Sequence, residues 1–346
     1  MTIFLFWRVV PSLTVSFFMI LILTTAGGCH SQTSWPLHPE TANAGLRWGV
    51  ALDGYPITRD RLAQAAAETG RHPDVVVFFM AWPQQGDVPG EFPLNTLEAM
   101  HSAGALPCLT WEPMWLGTNG REHVIPASDI LTGQYDVYLK TFARELARWG
   151  YPLIIRFAHE MNLSRYHWGG SLSDYGPASP ERYRQMFAYV VDICRGQGAD
   201  NILWAFCPNA ESVPQADWNQ IAAFYPGDDV VDIFGIDGYN WGTTQTLVEH
   251  GWRSRWQSFQ EIFSQPRVQL RALNSHKPLI IFETASVTAG GSQEQWVDFA
   301  LKTASEWNLS ALIWFQALKE NDWRIQPAAR HLLENLKKNI PSKSGD

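Results

Sequence analysis

Two glutamates, each closing an almost wholly apolar run, are the residues best placed to do chemistry in this chain. One ends the segment LIIRFAHE at Glu160, and the other ends LIIFE at Glu283. Two carboxyl groups facing each other across the mouth of a barrel are what retaining cleavage of a glycosidic bond requires. One protonates the leaving oxygen while the other attacks the anomeric carbon, at a separation of about 5–5.5 Å. Strand alternation refines the expectation. A regular strand places Arg156, Ala158 and Glu160 on one face, and Ile281 and Glu283 together on a face of theirs. An arginine inside a barrel needs an anion, and Glu283 or another mouth carboxylate is a natural partner, an arrangement that would keep Glu283 ionised. A pair between Arg156 and Glu160 that merely ties the strand end is equally compatible with the residues.

The elements that must position these groups follow one alternation from Leu46 onward. A short apolar, β-branched run is followed by an amphipathic stretch closed by Gly or Asn. Strands are predicted over Leu46–Leu52, Asp74–Trp82, Leu106–Trp111, Pro152–Glu160, Asn201–Phe206, Val230–Asp237, Pro278–Glu283 and Ala311–Gln316. Helical patterns between them include Thr58–Thr69, Tyr135–Trp149, Pro180–Arg195 and Gln293–Trp307. Ser179 is the expected N-cap of the third, with Pro180 at its first position. Alternating β and α units imply a parallel sheet covered by helices. Eight units without a composition break fit a single (β/α)8 TIM barrel over residues 46–340. An open doubly wound sheet is the runner-up, but no Gly-rich phosphate loop follows the first strand.

The remaining sequence narrows the partners. The chain has 346 residues, is 46% hydrophobic and carries a formal charge of -8 without basic blocks, which argues against nucleic acid. Seventeen tryptophans can serve a core or stack on sugar rings, and composition does not choose between them. Cys108, Cys194 and Cys207 are scattered, and no CxxC or His cluster suggests a metal or cofactor. Residues 1–29 read as a signal peptide, lipobox or membrane anchor. The stretch Ile3 to Ala26 is apolar apart from Arg8 and a few hydroxyl residues, and Thr25-Ala26-Gly27-Gly28-Cys29 places small residues before a cysteine. That pattern resembles a bacterial lipobox, with Ala26 where leucine is usual, and would make Cys29 the lipidated residue. Val9 to Gly28 is also about 20 residues, enough for an uncleaved span, and ordinary secretion is the third possibility. All three export the domain. Residues 30–45 read as a tether.

The segment RFAHEMN (Arg156–Asn162), followed by Trp168-Gly169, closely resembles the acid/base motif of glycoside hydrolase family 26. VVDIFGIDGYN (Val230–Asn240), LIIFE (Leu279–Glu283) and LIWFQ (Leu312–Gln316) extend the resemblance over most of the chain from about Trp48. The resemblance implies a retaining (β/α)8 β-glycanase, with Glu160 as acid/base and Glu283 as nucleophile. It implies that His159 stands beside the acid/base, that the Tyr239 hydroxyl contacts the nucleophile, and that Arg156 is a buried support. It implies further that Trp314 floors the subsite of the cleaved sugar and Trp168 forms a second aromatic wall. Asn162, Trp111 and Glu112 are candidates for binding substrate hydroxyls. The sequence departs from the motif after Asn162, where Leu163-Ser164-Arg165 replaces a Gly-x-Trp pattern. The expected substrate is a polysaccharide, by analogy β-1,4-mannan; mixed-linkage glucan and xylan are the alternatives within the family. A relative that only binds or guides an exported polysaccharide, and an unrelated barrel that uses both glutamates for proton abstraction, are the competing classes. The intact pair of strand-end glutamates favours the hydrolase.

Overall fold

The computed structural model describes residues 45–166, 168 and 172–336. The sequence readings for residues 1–29, for the tether up to residue 44 and for the tail beyond residue 336 lie outside the described residues. What is described belongs to one compact unit, Pro36–Asp346.

Eight parallel strands close into a barrel: β1 (Arg47–Ala51), β2 (Val75–Ala81), β3 (Leu106–Glu112), β4 (Leu153–Phe157), β5 (Ile202–Phe206), β6 (Ile233–Asn240), β7 (Leu279–Ser286) and β8 (Ala311–Phe315). Each pairs with its sequence neighbours and β1 pairs with β8, so the sheet has no edge and the doubly wound alternative is excluded. Strands shielded on one side by helices and on the other by the barrel's own filling need no polar alternation, which is why these runs are so apolar. The buried residues of Leu153–Phe157 and Ile202–Phe206, five of five in each strand, follow that rule.

The helices lie where their patterns place them. The helix Arg59–Thr69 starts at Thr58, whose hydroxyl accepts from the Arg61 N–H, and stops at Gly70 in the left-handed conformation. Asp136–Trp149 and Gln293–Glu306 match their expected spans within a residue. Ser179 is not the cap of the helix Ser179–Gly196: Ala178 holds that position, and the Ser179 hydroxyl accepts from the Gly176 N–H one turn earlier. After β5 the chain makes only two short 3-10 turns, Asp217–Asn219 and Ile221–Phe224, where a full helix would complete the pattern. No helix among the described residues is long and apolar enough to cross a membrane.

Two irregularities matter for what the barrel presents at its C-terminal mouth. β4 ends at Phe157, short of the expected Glu160, and Ala158 and Glu160 both take left-handed backbone angles, with φ of 47° and 50°. β7 slips register against both neighbours between Ile281 and Thr284, a β-bulge. Phe282 then faces the interior, where the Arg156 guanidinium lies 5.7 Å from its ring, and so does Glu283, which is paired with Arg156. The shared face expected for Ile281 and Glu283 is therefore replaced by consecutive inward residues. Gly235 on β6 makes room for this: a Cβ there would stand 2.5 Å from the Phe282 ring and 2.8 Å from the Cys207 sulfur.

Candidate active site

The floor of the barrel mouth is a buried polar cluster built around Arg156. Its Nε and Nη2 donate to the Thr110 hydroxyl at 3.0 and 2.6 Å, its Nη1 donates to Asp237 at 2.6 Å, and its Nη2 also donates to Glu283. Thr110 and Arg156 meet because β3 and β4 pair them in register, and the slip in β7 sets Glu283 opposite Asp237. Burial works against the guanidinium charge, but the two carboxylates outweigh it and hold the Arg156 pKa well above its usual value. The alternative pairing of Arg156 with Glu160 does not occur. His159, Asp237 and Glu283 form a group of potential metal ligands, but the guanidinium already bonds both carboxylates and supplies the positive charge they need.

Glu283 also accepts from the Tyr239 hydroxyl. Two donors on its two oxygens fix the carboxyl plane and complement a negative charge, the arrangement a nucleophile requires. Burial, followed by the Glu283 charge, raises the Tyr239 pKa well above its usual value, so its proton stays in that bond.

Glu160 is held differently. It follows the strand in a left-handed turn, where its own N–H donates to the Cys207 carbonyl at 2.8 Å. The Asn209 side-chain amide donates to its Oε1 at 2.6 Å. Asn209 is oriented in turn, because its Oδ1 accepts the Glu211 N–H at 2.9 Å and its backbone is pinned by Asn162. Burial and then the nearby Glu283 charge push the Glu160 carboxyl up to about 7, against the opposing pull of the Asn209 bond. A carboxyl that titrates near neutrality can give and take a proton in turn.

Both glutamates open onto a cavity of about 1440 Å³. His159 lines it beside Glu160; its Nδ1 is buried without a partner among the described residues, and burial together with Arg156 holds its pKa well below the usual value. Glu112 also lines the cavity, and burial pushes its carboxyl up to about 8, with Arg156 opposing. It therefore meets a substrate mainly in its neutral form.

Four expected substrate contacts lie elsewhere. Trp314 is fully buried behind β8: its indole N–H donates to the Trp323 carbonyl at 2.7 Å, and its ring sits between Trp48 and Trp296. It packs the barrel against the helix Gln293–Glu306, while the next residue, Phe315, lines the cavity. Trp111 faces outward too, donating to the Tyr138 hydroxyl at 2.8 Å and stacking on Phe142. Trp168 is buried with its indole N–H on the His159 carbonyl, and Tyr166, stacked upon it, is the ring that reaches the cavity. Asn162 is fully buried, and its amide is consumed by the Asn209–Ser212 loop. At Trp314 and Trp111 the strand gave the right height and the wrong direction, and Trp168 and Asn162 lie in the loop beyond β4. Asn209, Asp237 and Thr110 carried no expected role; their signal was only a polar residue at or near a strand end.

A closed parallel barrel with two carboxyls of different environment at its C-terminal mouth defines a (β/α)8 protein equipped for paired acid–base and nucleophilic chemistry. The model of Glycosyl hydrolase family 26 matches residues 129–252, which include β4 to β6 and Glu160. Endoglucanase H of Acetivibrio thermocellus is 32% identical over 292 residues, covering 84% of this chain and 30% of that protein. A mannan endo-1,4-beta-mannosidase of Bacillus subtilis is 31% identical over 157 residues, covering 43% of this chain and 34% of the relative. The chain thus spans about a third of the length of these curated relatives. Among solved structures, the Bacillus subtilis mannanase man26 superposes with a TM-score of 0.58 at 17% identity, over 86% of this chain and 88% of that one. The β-mannanase BoMan26A of Bacteroides ovatus does so with a TM-score of 0.56 at 18% identity, over 87% and 92%. The chain belongs to glycoside hydrolase family 26.

Proposed function

We propose that the chain is the catalytic barrel of a retaining endo-β-glycanase, with Glu283 as nucleophile and Glu160 as acid/base. The observation that carries this reading is the division of labour between the two carboxyls. Glu283 takes donors on both oxygens, from Arg156 and Tyr239, while Glu160 is buried with a pKa near 7 and one amide donor. Glu160 in its neutral form gives its proton to the glycosidic oxygen as a Glu283 oxygen bonds to the anomeric carbon and the C–O bond to the leaving sugar breaks. The Glu283 charge is then consumed in the ester, which removes what holds the Glu160 pKa up. Glu160, now ionised, takes a proton from water, whose oxygen displaces Glu283 and leaves the product with its original anomeric configuration.

The substrate class that fits best is a β-1,4-linked mannan, since relatives named as mannan endo-1,4-beta-mannosidases recur among those with similar sequence and fold. A β-glucan is the second reading, favoured by the long match to a protein named Endoglucanase H. Reducing ends released by the purified barrel from mannan, mixed-linkage glucan and xylan test both. Release from mannan supports the first reading, release from glucan alone moves the assignment to the second, and release from none defeats the hydrolase reading. Export with retention at a membrane is also proposed, on the apolar run ahead of Cys29. Fractionation of Cys29→Ala tests it: a released protein supports a lipid anchor, and persistent association points to an uncleaved span.

A further inference from the structure

A cavity of 1440 Å³ exceeds the roughly 300–1,000 Å³ of a site for one small molecule, so the cleft has room for more than the sugars flanking the broken bond. Its lining includes Tyr166 beside His159, the two glutamates, and Trp241 and Trp252 beyond Tyr239. Neither the expected motifs nor the catalytic cluster accounts for the two tryptophans.

The loop that carries the two tryptophans is built to hold them still. Asn240, buried at the end of β6, donates to the Ser286 hydroxyl at 2.8 Å and accepts from the N–H groups of Gly242 at 3.2 Å and Gln257 at 2.9 Å. The loop leaves and returns through that one side chain. Gly242 is required in between: its φ is 52°, and a Cβ there would lie 1.9 Å from the Ala289 carbonyl oxygen. The short helix Leu247–His250 is capped by Thr246 and stopped by Gly251 in the left-handed conformation, which turns the chain at Trp252. Gln245 and Ser254 clamp the return with bonds of 3.0 and 3.2 Å. The Trp252 ring comes to rest 5.7 Å from Trp241 at 80°, so the two indoles form a corner. Trp241 stands edge-on to Trp323 at 4.9 Å, and Tyr239 separates this corner from Glu283.

Trp252 is 44% exposed, so part of its indole face is open to the cavity it lines. Gln257 lines the same cavity, its side-chain amide without a partner among the described residues, and so does Glu320, with one oxygen on the Trp323 indole. A flat aromatic face bordered by an amide and a carboxylate matches a sugar ring, with an apolar C–H face and hydroxyls at its edge. We propose that Trp241 and Trp252 form a distal subsite, on the Glu283 side of the cleft. In it a sugar at least one residue removed from the cleaved bond stacks on Trp252, with hydroxyls toward Gln257 and Glu320. The occupant is the same polysaccharide chain, because the corner is continuous with the catalytic cavity.

The inference rests on the glycanase reading, and its test separates the two. Trisaccharides and hexasaccharides of β-1,4-mannose and of mixed-linkage β-glucose are compared as substrates of the full chain, by kcat/KM. Wild type is expected to favour the hexasaccharide. Trp252→Ala lowers the ratio of hexasaccharide to trisaccharide by about tenfold, and Trp252→Phe, which keeps a flat ring, retains most of it. Equal ratios in wild type and Trp252→Ala, with hydrolysis intact, overturn the subsite and leave the glycanase standing. Absence of hydrolysis of either length by wild type removes the glycanase reading and the subsite with it.

Discussion

Glu283 and Glu160 face the same cavity from strands three places apart in the barrel, yet they are supported in contrasting ways. Glu283 belongs to a strand, is turned inward by a register slip, and is tied by an arginine and a tyrosine to a cluster that includes Asp237 and Thr110. Glu160 lies beyond the end of its strand, on a left-handed turn, with one amide on one oxygen. The difference teaches how a barrel separates two identical side chains. A group that must carry charge is embedded among donors; a group that must exchange a proton is buried with few bonds, so that neither of its states is locked.

Removing each carboxyl is the harshest test of that contrast. Glu283→Ala abolishes hydrolysis of every substrate, a loss of about 10⁴-fold or more, and added azide yields at best a product of inverted configuration. Glu160→Ala loses hydrolysis of natural linkages but keeps reaction with activated aryl glycosides, whose leaving groups need no proton. Azide accelerates its second step with retention. The anomeric configuration of the azide products, read by proton NMR, decides the roles, and the opposite pattern reverses them.

Arg156→Ala attacks the support of only one glutamate, and does so through stability. It leaves Asp237 and part of Glu283 buried without their cation, so unfolding in denaturant is expected to become easier by about 3–5 kcal/mol, the range for a broken buried pair. A variant with wild-type stability would show that the cluster is not held together by that charge. Trp314→Ala has an effect of similar size for a different reason. It empties a fully buried site between Trp48 and Trp296 and is expected to cost about 3–5 kcal/mol of stability. A stable Trp314→Ala protein with weakened substrate affinity would return Trp314 to the cavity and break the packing assignment.

Trp314 also marks where the sequence stopped being legible. The eight strands were readable because a short apolar run is a one-dimensional signal that helices outside a barrel leave intact, and the glutamates that close two of those runs do reach the cavity. Tyr239 and Arg156 were readable from the resemblance, and their contacts with Glu283 are in the structure. Direction was not readable. Strand alternation assumes regular backbone, whereas Ala158 and Glu160 are left-handed without being glycine, and β7 gains a residue at Phe282. A strand alternates faces residue by residue, so Phe315 lines the cavity while its neighbour Trp314, to which the resemblance pointed, does not. Asn162 and Asn209 were hidden for another reason: their role is a relay between two loops, from β4 and β5, that are distant in sequence.

That relay gives the smallest expected effect and the sharpest test of how Glu160 is tuned. The Asn209 amide donates to Glu160, and a donor favours the charged form, so the bond lowers a carboxyl pKa that burial and Glu283 have raised to about 7. Removing it lets the pKa rise. In Asn209→Ala the alkaline limb of kcat/KM, where Glu160 loses the proton it must donate, is therefore expected to move to higher pH by about one unit, equivalent to about 1.4 kcal/mol. Asn162→Ala leaves the amide in place but frees the backbone that aims it, and should move the limb the same way by less. Packing loss alone would lower the rate at every pH and leave the limb where it was. A limb that stayed fixed in both variants, or moved to lower pH, would mean that Asn209 does not set the proton affinity of Glu160.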